Sequence, residues 1–314
     1  MSAYGPRSVA LSPREVPLGG VRAMNVRRTL PSKELPTIGA WCFLDRFGPD
    51  EVRMRVEPHP HIGLQTVTWP LVGEVRHRDA VGSDVVLRRG QLNLMTAGRG
   101  IAHSEYSVGD DAVPLDALQL WVVLPDGAAT GAPGFEQHTE LPALSIDAEE
   151  GDHARATVVL GELAGVRSPA SAHTPIVGAE IRLAPGSRVI LPLREDWEHG
   201  VLVVEGDARV AAVDVPRGDL LFLGDSRDEV EVRTQDGALL FLLGGEPFEQ
   251  DLVMWWNFAG RTHEEIVAAR TAWEAESEGP QEDPRFGPVV GHGGERIPAP
   301  PIPPVRLMPR RRRI

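Results

Sequence analysis

The most constraining feature of this 314-residue chain is a series of short apolar segments cut by glycine turns, which starts near Trp41 and starts again after residue 150. The first series reads TVTWPLV, GEVRHRDA, DVVLRRGQLNLMTAG, AHSEYS and ALQLWVVLP, with Gly73, Gly82, Gly90, Gly98 and Gly100 at turn-like intervals. Short segments rich in Val, Leu and Ile, interrupted by Gly and Pro, are the pattern of strands joined by tight turns, and their spacing suits an antiparallel barrel or sandwich. The second series reads ATVVLGEL, GAEIRLAPGSRVILPL, GVLVVEGDARVAAVDVPRGDLLFLG and GALLFLLGGEP. Both contain a glycine turn followed by an RGxL turn, as LVGEVRH then LRRGQLNLM and as VEGDARV then VPRGDLLFL. The shared rhythm implies one barrel duplicated.

Small and polar residues accumulate between Asp126 and Glu150, which places a domain boundary there. The expected division is residues 1–140 for the first barrel and 150–279 for the second. Near the end of the second, Thr262 can cap a helix and Glu265, three residues on, completes a capping box. Ile266, Ala269 and Trp273 then fall at helical spacing, so a short helix is expected near 263–275. From residue 280 to 314 the chain loses periodicity, and IPAPPIPPV reads as a proline-rich tail that lies along the protein or is mobile.

The rest of the composition excludes several classes. No apolar run approaches the roughly 20 residues of a membrane-spanning helix, and the first 20 residues lack the apolar stretch of a secretory signal. A cytoplasmic protein without membrane contact is expected. Cys42 is the one cysteine, expected to be buried, so neither an intrachain disulfide nor a cysteine metal cluster can form. Any metal must be held by nitrogen and oxygen. The formal charge of −13 repels nucleic-acid phosphates, and the basic ending Arg310 to Arg313 reads as a solvated tail. No phosphate-cradling GxxxxGK[ST] and no GxSxG nucleophile turn is present.

The strongest chemical signal is EPHPHIGLQTVTW. On an extended strand alternate side chains share a face, so His59 and His61 point the same way, and Gln65, Val67 and Trp69 are expected to continue that face beyond Gly63. In GRGIAHSEYS the same spacing puts His103 and Glu105 on one face. If the two strands are neighbours inside one barrel, three imidazoles and one carboxylate converge. Such a donor set suits iron(II), manganese, nickel, copper or zinc better than a hard cation that needs more oxygen ligands.

These stretches resemble the pirin family of the cupin superfamily. HPHIGLQTVTW, GEVRHRDAVGS, MTAGRGIAHSEYS, LQLWVVLP and LLGGEPFEQDLVMWWNFAGRTHEEI match it in order and cover most of residues 40 to 270. The resemblance implies an all-β fold of two tandem antiparallel jelly-roll (cupin) barrels with a short C-terminal helix. It also implies that His59, His61, His103 and Glu105 are the ligands of one divalent metal ion, with iron(II) the first expectation and manganese, nickel, copper, cobalt or zinc as alternatives. Some relatives open the ring of quercetin with dioxygen, which implies a quercetin 2,3-dioxygenase type of activity on flavonols or related phenols, with Glu105 as ligand and base. Others are associated with transcription-factor and metabolic-enzyme partners, which implies instead a metal-dependent regulator with a protein partner. Gln65 departs from the family, standing where pirins and other cupins often carry glutamate.

Other residues have plainer expectations. His77 and Asp79 alternate on the strand leading into a turn and are expected as a surface hairpin pair; the other reading is a pocket rim where the carboxylate orients the imidazole. Trp69, Met95 and Trp121 are expected to pack in the core rather than line a cavity. His199, in DWEHGVLVV, has no His-x-His or His-x-Glu pair beside it, so the second barrel is read as scaffold without metal.

Overall fold

Each alternating segment forms a strand, and the strands assemble into two compact units, each containing a larger and a smaller antiparallel sheet. The computed structural model describes residues 5–17, 24–279, 281–292 and 295–310. In the unit that carries the HPH segment, the larger sheet runs in the order Gly134–His138, Leu92–Thr96, Leu64–Val72, Val113–Val123 and Trp41–Val52. The smaller sheet orders Arg55–His61, Ile101–Ser107, Val75–Asp79 and Asp84–Leu87.

The second unit repeats the plan. Leu64–Val72 lies between Leu92–Thr96 and Val113–Val123, as Glu198–Gly206 lies between Leu220–Gly224 and Ala238–Gly245. The two shared turns are built alike, because Gly73 and Gly206 have φ of 82° and 71°, and Gly90 and Gly218 have φ of 82° and 92°. A left-handed residue at these tight turns favours glycine, which is why the rhythm is visible in the sequence. A core of Val, Leu and Ile with Trp197 fills this unit.

The compact units do not follow the sequential division at 140 and 279. One contains residues 15–28, 43–139 and 249–314, the other residues 1–14, 29–42 and 140–248. Pro6–Leu11 is an edge strand on Leu220–Gly224 of the second unit. The helix His263–Ala275 packs on the first, where Ile266, Ala269 and Trp273 join Ile62, Ala102, Phe258 and Phe286 in one apolar cluster. Both assignments depend on long-range partners, an open sheet edge and an apolar patch, that local periodicity does not reveal.

The helix begins as its cap residues dictate: Thr262 Oγ1 accepts from the Glu265 amide at 3.2 Å. Glu265 closes the turn onto the Arg261 amide at 2.8 Å, one residue before the cap position a capping box uses. Beyond it the described residues of the proline-rich segment form no helix or strand and lie along the first unit. Phe286 is buried, the Ile297 amide donates to the Pro58 carbonyl, Ser104 Oγ lies 2.7 Å from His292 Nε2, and Trp273 Nε1 donates to the Ile297 carbonyl. Arg311 to Arg313 of the basic ending lie outside the described residues. Cys42 is buried and takes part in no disulfide among the described residues. Among the described residues no helix is long and apolar enough to cross a membrane.

Candidate metal centre

Arg55–His61 and Ile101–Ser107 are hydrogen-bonded neighbours, with His59 directly opposite His103 and His61 opposite Ile101. Directly opposed residues of an antiparallel pair point to the same side, so the three imidazoles share one face. Their ring centroids lie 4.3 to 5.1 Å apart, and one nitrogen of each falls within 4.8 Å of the other two. Glu105 stands on the same strand two residues on, opposite His77 of Val75–Asp79. Its carboxylate groups most closely with His103 and His77, and all four predicted ligands line one cavity.

Gly63 changes what the sequence reading expected beyond His61. With φ at 67° it ends the first strand and passes the chain into the larger sheet. There Thr68 is opposite Gln119 and Thr66 opposite Trp121, so the even-numbered residues face the site. Gln65, Val67 and Trp69 point to the other side of the sheet, where Gln65 Nε2 donates to Thr96 Oγ1 at 2.9 Å. The residue that departs from the family pattern therefore faces away from the imidazoles. Thr68 takes its place: its hydroxyl lies 3.2 Å from Glu105 Oε1 and 3.0 Å from Gln119 Oε1. Its single proton serves the carboxylate when Gln119 turns its amide nitrogen toward it.

His77 and Asp79 are not at the surface; both side chains are almost completely buried. The His77 ring stacks on Phe135 with centroids 4.5 Å apart, its Nε2 lies 2.9 Å from Asp79 Oδ2, and its Nδ1 lies 3.4 Å from His103 Nδ1. Neither residue lines the cavity, but the Asp79 carboxylate does hold the imidazole, as the alternative reading expected, and it does so behind His103. A short, polar hairpin gave no sign that Phe135 would cover it.

The electrostatics prepare the cluster for a cation. Burial pushes the His59 imidazole down to about 4 and holds His61 and His103 well below the ordinary histidine value, so all three are neutral at pH 7. Burial also raises the Glu105 carboxyl, against the opposing influence of His77 and the Thr68 hydroxyl. His59 Nδ1 donates to the Glu57 carbonyl at 2.9 Å and His61 Nδ1 to the Asn257 carbonyl at 3.0 Å, which leaves each Nε2 as a lone-pair donor. His103 Nε2 is buried and has no hydrogen-bond partner among the described residues. A buried lone pair left unmatched is costly, and a metal ion among neutral imidazoles removes that cost. The residues present fit a divalent cation.

The cavity above the cluster has a volume of about 220 Å³. Phe43, Phe47, Met54, Val56, Trp121 and Trp256 give it an apolar, aromatic wall. Trp121 stacks on Phe43 at 3.8 Å and meets His61 edge-on at 5.0 Å, so it lines the cavity rather than only packing the core. Trp69 and Met95 are buried core residues. Arg28, paired with Asp45 through two bonds of 2.8 and 2.7 Å, forms the polar part of the wall.

In the second unit the ladder positions that correspond to His59, His61, His103 and Glu105 carry Leu191, Leu193, Val230 and Val232. Three of these aliphatic side chains are buried in its core, and Leu193 packs against it. His199 is buried on Glu198–Gly206, with its ring stacked on Trp197 at 6.4 Å.

Comparison with known proteins places this architecture. Residues 21–122 match the Pirin family and residues 178–279 match the Pirin C-terminal cupin domain. A Pseudomonas aeruginosa protein named "Putative quercetin 2,3-dioxygenase" is 42% identical over 294 residues, covering 92% of this chain and 89% of its own. The chain belongs to the pirin family. Within that family, human pirin is 29% identical over 258 residues, covering 78% of this chain and 84% of its own. A crystal structure titled as a quercetin 2,3-dioxygenase from Acinetobacter baumannii superposes with a TM-score of 0.88 at 34% identity, covering 97% of this chain and 98% of that one. The pirin-family bicupin fold, with its short C-terminal helix, is thereby shown.

Proposed function

We propose that this pirin-family protein holds one divalent metal ion through His59, His61, His103 and Glu105 and uses it as a quercetin 2,3-dioxygenase type of oxygenase on flavonols or related phenols. The observation that carries the reading is the set of three neutral, buried imidazoles beneath an aromatic-walled cavity, with Glu105 lining the same space. The names of the similar proteins from Pseudomonas aeruginosa and Acinetobacter baumannii support the substrate class.

A bound ion supplies Lewis acidity and a coordination position for an oxygen of the substrate. The protein's residues do the remainder. Phe43, Trp121 and Trp256 offer flat apolar surfaces on which a planar phenol can stack. Glu105, its carboxyl raised by burial, is placed to take a proton from the flavonol hydroxyl, and Thr68 steadies the carboxylate. Iron(II) is the first choice of metal, with manganese, nickel, copper and cobalt able to use the same donors.

Oxygen uptake with quercetin tests the proposal directly. Protein loaded with iron(II), manganese, nickel, copper or cobalt is expected to consume oxygen, and His61→Ala to abolish the uptake. Failure of every metal form to consume oxygen with any flavonol or catechol would rule out the oxygenase.

A further inference from the structure

His103 differs from the other two imidazoles in what holds it. His59 and His61 donate their Nδ1–H to backbone carbonyls, which can only accept, so their tautomers are fixed by the fold. His103 Nδ1 faces instead another titratable ring, His77 Nδ1, at 3.4 Å. A ring nitrogen can donate or accept, so this contact alone does not decide which nitrogen of His103 carries the proton. The decision comes from one residue further out. Asp79 Oδ1 accepts from the backbone amides of Val81 and Ser83 at 3.0 and 2.9 Å, which locks the carboxylate in the turn. Its Oδ2 meets His77 Nε2 at 2.9 Å. A carboxylate can only accept, so in the neutral His77 ring the proton sits on Nε2 and Nδ1 is a lone pair. That lone pair accepts from His103 Nδ1–H, and His103 Nε2 is left bare toward the cluster. Phe135, stacked on His77 at an interplanar angle of 18°, holds the relaying ring in plane.

We propose that Asp79 and His77 are positioning residues that set the tautomer of His103 and so make its Nε2 a metal donor. The inference rests on the metal-binding reading of the site and deepens it: the ligand set is completed by an outer pair assigned neither as metal ligand nor as substrate contact. Such partners of a ligating imidazole are typically worth about 10- to 100-fold in metal affinity.

Substituting Asp79→Asn reverses the relay. The two turn amides need an acceptor, so the new amide presents its oxygen to them and its NH2 group to His77. His77 then accepts at Nε2, carries its proton on Nδ1 and donates to His103, whose own proton moves to Nε2 and blocks the ligand position. His77→Phe removes the relay, whereas His77→Gln keeps an acceptor for His103 and a donor for Asp79.

The test is long-range ¹H–¹⁵N NMR of histidine-labelled, metal-free protein, together with Ni(II) affinity from chelator competition. Wild type is expected to show His103 as the Nδ1–H tautomer, and Asp79→Asn to show the Nε2–H tautomer with about a 10- to 100-fold loss of Ni(II) affinity. His77→Phe should lose a similar amount, while His77→Gln should stay within several-fold of wild type. Melting curves identify any variant that fails to fold, and the wild-type tautomer still decides the question. An Nε2–H tautomer of His103 in wild type overturns the proposal, as does an Asp79→Asn variant with unchanged tautomer and affinity. Equal losses in His77→Gln and His77→Phe would also overturn it and make His77 a direct ligand. Absence of Ni(II) binding by a wild type that shows the expected tautomers would sink the metal reading while upholding the relay.

Discussion

His61 donates its Nδ1–H to the carbonyl of Asn257 at 3.0 Å, across 196 residues of sequence. The fold brings them together because the segment after residue 249 packs on the first barrel: the Ala259 amide donates to the Ile62 carbonyl, and Phe258 shares a core cluster with Ile62. A chain ending at Phe248 loses both the carbonyl that fixes the ring and the cover over Ile62 and Ala102. Such a truncation is expected to bind a dye for exposed apolar surface and to lose at least about tenfold in Ni(II) affinity, by dye fluorescence and chelator competition.

Gly63 separates the two sheets at φ 67°, and a Cβ there would lie 2.0 Å from the Ala259 carbonyl oxygen. Gly63→Ala must therefore displace backbone as well as adopt a left-handed conformation. A loss of more than about 2 kcal/mol is expected, the backbone conformation alone costing on the order of 1 kcal/mol or more. Urea denaturation of the metal-free protein measures it, and metal affinity should fall with it because His61 is two residues away.

Arg46 and Asp116 form a buried fork of 2.8 and 2.6 Å between neighbouring strands of the first barrel. Removing Asp116 takes a doubly bonded carboxylate away from a buried guanidinium, so Asp116→Ala is expected to cost about 3–5 kcal/mol. The double replacement Arg46→Met with Asp116→Leu should cost clearly less. Urea unfolding midpoints of the two variants give the comparison.

His199 supplies a pH dependence outside the metal centre. Burial lowers its imidazole from 6.5 to about 4, so between these values the unfolded chain binds the proton that the folded protein refuses. Its contribution is fully present above pH 6.5 and is lost as the pH falls toward 4, by up to about 3 kcal/mol. His199→Phe is expected to flatten the decline of stability between pH 7 and pH 4.5, measured by urea unfolding across that range.

The strand series, the duplication and the alternation of His59 with His61 and of His103 with Glu105 were legible because each depends on local periodicity and on glycine turns. The face occupied by Gln65 was not, since one left-handed glycine resets the alternation and brings Thr68 to the site instead. His77 and Asp79 read as a surface hairpin because their cover comes from Phe135, on a strand that begins 55 residues later. The helix was legible from Thr262, Glu265 and its apolar spacing; its attachment to the first barrel was not, because that is decided by contacts with Ile62, Ala102 and Phe286.

Metal content after equilibrium dialysis tests the central claim most directly. Wild-type protein dialysed against a small excess of iron(II) or nickel(II) is expected to retain one ion per chain, and His61→Ala or His103→Ala to retain much less than one. Retention of no ion by folded wild type, or of one full equivalent by both variants, would contradict the assignment of the metal to these imidazoles.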